Sequence, residues 1–274
     1  MLIKLLKHEI NATRRIFLPL YGALLILTIF TKLVLSLGAP DFFSDNIATP
    51  TAIEIILSIC FMLYLIAITA LSIITLVMII QRFYKNLFTD EGYLMFSLPV
   101  KTWELVLSKL LVGLMWTFVC SVIIFITFFI FSLGTFSMME LTQTIQTAYT
   151  DFYATFGSSL NLLIFELILS LIVGVIASIL MIYVSIAIGQ LFSQHRIVAS
   201  FGAYIGITIA LQIIVSIIMA IFMMLNINMV INQNQEVMQF FHWFLNATTL
   251  FNVILSIGFY FTTQYIMKNH LNLE

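Results

Sequence analysis

The sequence predicts an all-α integral membrane protein with six transmembrane helices, an amino-terminal amphipathic interfacial helix and both termini cytoplasmic. Three observations carry this. The 274 residues are 62% hydrophobic and only 8% charged, with a mean hydropathy of +1.14, so a water-soluble fold would lack the polar surface to cover its core. A hydrocarbon layer of about 30 Å needs about 20 apolar residues in helix, and six stretches meet that length: 16–37, 52–81, 103–133, 159–190, 197–225 and 243–267. Finally, the basic residues sort by loop.

That sorting sets the orientation. Lys4, Lys7, Arg14 and Arg15 precede the first span, Arg82, Lys85, Lys101 and Lys109 surround the second connection, Arg196 lies in the fourth and Lys268 in the tail. Connections 38–51, 134–158 and 226–242 contain no Lys or Arg; they carry Asp41, Asp45, Glu140, Asp151 and Glu236. Only Lys32 falls outside the scheme, so the basic side is inward. No long polar linker interrupts the spans, and 1–274 reads as one transmembrane domain.

The elements follow in order. Residues 1–15 form a helix with Leu2, Ile3, Leu6 and Ile10 on one face and Lys4, Lys7, His8, Asn11 and Arg15 on the other, a pattern suited to lying flat in the headgroup region. The basic stretch before 16–37 also has the look of a signal peptide, but about 22 apolar residues exceed a usual h-region. Spans four and five make a hairpin about the short turn 191–196. Small residues recur four apart, on span four at Ser170, Gly174 and Ser178 and again at Ser185 and Gly189, and on span five at Gly202, Gly206 and Ala210, a spacing that lets backbones approach closely in lipid.

Chemistry-bearing motifs are missing. None of the 11 glycines is followed by Lys, so there is no phosphate-cradling G-x-x-x-x-G-K-[ST] loop. H-E-x-x-H, G-x-S-x-G and paired Cys ligands are absent too, and Cys60 and Cys120 sit inside apolar runs as buried filler. A formal charge of -1 offers nothing to nucleic acid. Proton-coupled transport and intramembrane catalysis need ionisable groups at depth, and the deepest carboxylate is Glu166, about two turns into span four. It is a possible pathway residue, or a carboxylate that reaches the interface or a partner. Lys32 and Glu54 sit near the outer ends of their spans, while His8, His195, His242 and His270 fall at loops or ends.

The richest polar segment is the second connection, 83–102. Thr89 or Asp90 can cap a short helix with acids in its first turn, and Pro99 ends it by holding Leu98 extended. Thr102 then caps span three, with Glu104 in its first turn. Tyr93, Leu94, Phe96 and Leu98 are too apolar for a solvated loop, so lipid, the chain itself or a partner must cover them.

The run Glu91-Gly92-Tyr93-Leu94, followed by Leu98-Pro99-Val100 and then Leu107-Ser108-Lys109-Leu110-Leu111, resembles the signature between spans two and three of type-2 ABC exporter permeases. There an acid-Gly-x-Leu stretch leads to Leu-x-x-Pro-Val, and Lys-Leu-Leu opens the third helix. This sequence departs from it with Tyr93 where Thr is usual, Met95 where an acid is usual, and only Ser97-Leu98 before the proline. The resemblance implies a coupling segment resting on a separate ABC ATPase subunit, with Asp90, Glu91, Gly92, Tyr93, Leu94, Phe96, Leu98, Pro99 and Lys101 as its contacts. Gln194, His195 and Arg196 would make a second contact. ATP and Mg would be held by that partner and no cofactor by this chain, which is then no enzyme itself. A second permease copy or homologue would complete the pathway in a bacterial cytoplasmic membrane. The scarcity of ionisable groups at depth favours a hydrophobic or amphipathic substrate, a peptide, antibiotic or lipid, over a small ion or sugar. Two alternatives stay open, a non-transporting accessory or immunity-type membrane protein and an ion-coupled secondary transporter or channel.

Overall fold

The computed structural model describes residues 2–36, 52–89, 92, 101–132, 138–192, 194–225 and 235–269. Among them the chain is all-helical. The elements are α1 (Leu2–Ser36), α2 (Ala52–Phe88), α3 (Thr102–Ser132), α4 (Met138–Phe156), a 3-10 turn (Gly157–Ser159), α5 (Leu160–Gly189), α6 (Arg196–Leu225) and α7 (Gln235–Asn269). All but α4 are long and apolar enough to cross a membrane, the architecture of a multi-pass membrane protein.

Several boundaries differ from the sequence expectation. The amino-terminal helix and the first span are one continuous helix, because no breaker separates Arg15 from Ile16 and Pro19 is accommodated within α1. Residues 83–88 belong to α2 rather than to the connection, and α7 starts at Gln235 instead of 243. Connection 134–158, read as a loop, holds the 19-residue helix α4. Gly157, at φ +60, takes up the left-handed conformation that ends α4.

The helices form two compact units, one drawn from 2–79 and 111–146, the other from 80–110 and 147–274. In the first, α1 turns a face made of Thr13, Phe17, Tyr21, Leu24, Thr28 and Thr31 inward, three and four residues apart. Phe17 stacks on Trp116 of α3 with ring centroids 4.4 Å apart, and Tyr64, Leu71 and Met78 of α2 complete the cluster with Val112 and Cys120. Lipid tails are as apolar as these side chains, so close packing and satisfied polar groups hold the unit together more than burial does. The indole N–H of Trp116 donates to Thr13 Oγ1 at 2.7 Å, and Tyr64 OH to Thr127 Oγ1 at 3.1 Å. Thr13, Thr28, Thr31 and Thr75 each donate to the carbonyl one turn back, which satisfies these four hydroxyls in a medium without water.

In the second unit α5 packs on both α6 and α7. Ala177, Leu180, Tyr183, Val184 and Ala187 of α5 are buried with Phe83, Leu87 and Phe88 of α2, Leu105, Val106 and Leu110 of α3, and Ile266 and Met267 of α7. The small residues divide by use. A Cβ on Gly189 would collide with Ser200 of α6, so this glycine serves a close approach, whereas one on Gly174 would make only ordinary contact, with Asn252 Nδ2 of α7 at 4.0 Å. Gly202 and Gly206 of α6 meet nothing within 4 Å among the described residues. The expected close seam along α6 is therefore not made among the described residues.

Candidate functional site

Most of the sequence-predicted coupling residues, Asp90, Glu91, Tyr93, Leu94, Phe96, Leu98 and Pro99, lie outside the described residues. Their frame is described. The last two turns of α2 are anchored by Phe83 and Leu87, four apart on one face and both 0% exposed. Phe83 stacks on Tyr183 of α5, centroids 3.8 Å apart, and meets Phe88 edge-on at 5.6 Å. Tyr183 lies six residues before the end of its helix at Gly189, so the end of α2 is bound beside the end of α5.

At Gly92 the backbone turns back on α2. Its N–H donates to Thr89 O at 2.7 Å, and it is buried. A Cβ there would lie 2.6 Å from Leu87 O and 2.8 Å from the carbonyl carbon, both backbone atoms, which is why this position takes glycine. On the far side of the segment Lys101 is exposed, and its carbonyl accepts from Glu104 N at 2.9 Å as α3 begins. Thr102 is thus the first residue of α3 rather than its cap, and Glu104 sits in the first turn as predicted, where the helix dipole favours an acid.

The second predicted contact is a tight turn. Gln190, Leu191 and Phe192 donate to carbonyls of Ile186, Ala187, Ile188 and Gly189, winding down α5. Gln194 and His195 are exposed and Arg196 is half-buried at the start of α6. His195 stands at φ +57, a left-handed conformation uncommon outside glycine, while its carbonyl accepts the first α6 bond from Ala199 N at 3.0 Å. The frame of segment 90–101 and this turn fall in the same compact unit.

Glu166 is not a solitary carboxylate. His242 Nδ1 lies 2.5 Å from Glu166 Oε2, and Asn246 Nδ2 donates to Oε1 at 2.7 Å. Both partners come from α7, one turn apart on one face. The sequence reading does not reach them, because it places His242 at a loop or end rather than within the helix. The clue available was the four-residue spacing of His242 and Asn246. Lys109, within α3, is 3% exposed, and Ser108 beside it 1%.

A cleft of about 250 Å³ opens between α6 and α7, lined by Val215, Ile218 and Met219 from one and Phe240, Trp243 and Phe251 from the other. Its lining is almost wholly apolar, and it lies on a face of α7 away from His242 and Asn246. No group of three or more His, Cys, Asp or Glu among the described residues is placed to hold a metal. Comparison with protein-family models, with curated proteins and with solved structures finds no match to this chain.

Proposed function

We propose that the chain is the permease subunit of an ATP-binding cassette exporter, driven by a separate ATPase and moving a hydrophobic or amphipathic substrate, such as a peptide, antibiotic or lipid, out of the cell. The observation that carries this reading is the acid-Gly-x-Leu to Pro-Val run at 91–100, between two long apolar helices. It begins at a turn closed so tightly on α2 that only glycine fits at residue 92. The sorting of basic residues favours a cytoplasmic position for this segment, the termini and the 190–196 turn. The apolar cleft between α6 and α7 suits an apolar cargo better than an ion. A second copy or homologue of the chain completes the transporter in a bacterial cytoplasmic membrane, and closure of the ATPases rocks the spans on either side of segment 90–101.

The test replaces Tyr93 and Phe96 with Ala. Buried anchors at an interface each contribute about 2 kcal/mol or more, so the double variant should lose the ATPase in pull-down, or uncouple hydrolysis from export, while inserting normally. Gln146→Ala, on the side without basic residues, is the control. Undiminished ATPase binding with undiminished export would overturn the proposal, and flux driven by a proton or ion gradient without ATP would replace it with a secondary transporter.

A further inference from the structure

Helix α4 stands apart from the other six. It runs 19 residues, about 28 Å at 1.5 Å per residue, but Glu140, Asp151 and a series of Thr and Gln make it too polar to span. Every described side chain from residue 139 to 154 is exposed. Its composition is nonetheless sided. Ile145, Ala148, Tyr149, Phe152 and Tyr153 recur at three and four residues and form one stripe. Gln143, Thr144, Thr147, Thr150, Glu140 and Asp151 occupy the remainder. Ile145, Tyr149, Phe152 and Tyr153 are 66%, 48%, 55% and 47% exposed, a row of large apolar groups that water alone would not cover favourably.

The chain on both sides says what does. Only residues 133–137 separate the end of α3 at Ser132 from Met138, a reach of at most about 18 Å fully extended. At the other end a three-residue 3-10 turn leads directly into α5. With α3 and α5 both crossing the bilayer, each end of α4 is tethered within a short distance of the same membrane surface. A 28 Å helix held at both ends has its apolar stripe within reach of lipid whatever else is present. The stripe is tyrosine-rich, with Tyr149 and Tyr153 stacked at 6.2 Å, and such side chains favour the headgroup boundary. There is no Lys or Arg from residue 134 to 158, so charge attraction to anionic lipid plays no part.

We infer that α4 lies flat in the headgroup region of the leaflet on the side that lacks basic residues, with its Ile145, Tyr149 and Phe152 stripe against acyl chains of a zwitterionic lipid surface. This rests on the six-span membrane reading. The polar arc of Glu140, Thr147 and Asp151 faces water, and the helix acts as a float that fixes the depth of the chain entering α5 and leaving α3.

The test is spin-label accessibility in phosphatidylcholine vesicles, using single cysteines in the full chain with Cys60 and Cys120 replaced by Ala. Labels at Ile145, Tyr149 and Phe152 should be several-fold more accessible to oxygen relative to a water-soluble nickel chelate than labels at Gln143, Thr147 and Thr150. Equal chelate access on both faces would overturn the inference by leaving α4 in water. Stripe labels shielded from both reagents, with spin broadening that unlabelled protein dilutes away, would overturn it in favour of a second copy of the chain. Labels at Phe125 of α3 and Ile168 of α5, 70% and 50% exposed, keep the two failures apart. Chelate access there would remove the six-span reading itself, and this inference with it.

Discussion

Phe83 and Tyr183 stack face to face with centroids 3.8 Å apart and planes 5° from parallel, although 100 residues of sequence separate them. Both are sealed from solvent, at 0% and 1% exposure. The contact binds the end of α2 to α5 immediately before the chain enters segment 90–101, so a force on that segment has a packed route into α5. Phe83→Ala should cost about 3–5 kcal/mol, as truncations of buried aromatics do, and Phe83→Leu appreciably less. Thermal unfolding in detergent measures both. A loss below about 1 kcal/mol for Ala would mean the site collapses and transmits little.

The Glu166 cluster gives a second expectation. Glu166→Ala leaves His242 and Asn246 without their shared acceptor at the α5–α7 contact, and hydrogen bonds between helices in lipid are worth about 0.6–1.7 kcal/mol each. A loss of about 1–2 kcal/mol is expected. Glu166→Gln keeps an acceptor for Asn246 and should lose less. Equal losses in the two variants would assign the whole effect to the carboxylate charge facing His242.

The six spanning helices were legible in the sequence because hydropathy over about 20 residues is a coarse quantity that neighbours cannot overturn. Ends were less so. Residues 83–88 continue α2 because Phe83 finds Tyr183, a partner that no local pattern announces, and Leu87 is buried as well. The helix α4 escaped because its apolar stripe is diluted by Thr and Gln, which lowers its hydropathy without disturbing its period. At the site, the need for glycine at residue 92 follows from the Leu87 carbonyl lying against it, which a motif can suggest but only coordinates display. Glu166 was read as the deepest carboxylate, yet placing His242 beside it depended on where α7 begins.

Glycines that look alike in sequence should respond differently. A Cβ at Gly189 would clash with Ser200 Oγ and lie 2.7 Å from Ser200 N, whereas those at Gly202 and Gly206 have open space. Gly189→Ala should therefore spread the α5–α6 hairpin and cost about 1–3 kcal/mol. Gly202→Ala and Gly206→Ala in the isolated chain should be neutral or slightly stabilising, since Ala is the better helix former by about 1 kcal/mol. Melting of the three variants in detergent decides this. Destabilisation by Gly202→Ala comparable to that of Gly189→Ala would show α6 packed against something along its small-residue stripe.

Gly92 joins the structural and functional expectations. Its N–H is held by Thr89 O at 2.7 Å while Leu87 O occupies the space a Cβ would need. Both obstructing atoms of Leu87 are backbone, and the Leu87 side chain is itself buried at 0% exposure, so the turn cannot give way without shifting the last turn of α2. Gly92→Ala should cost about 1–3 kcal/mol of overpacking strain, relieved by moving the chain that follows. No span is altered, so insertion and expression should be kept. Under the proposed function the displaced segment 93–100 should then bind the ATPase more weakly, in the same direction as the Tyr93 and Phe96 double variant. Lys101→Ala, an exposed position past the turn, should affect binding little by comparison, because an exposed charge at the rim of an interface contributes mostly to association rate. Pull-down of the ATPase by the Gly92 and Lys101 variants, beside their melting in detergent, separates the two effects. Gly92→Ala that melts lower but binds the ATPase fully would make this glycine a packing residue and detach the tight turn from coupling.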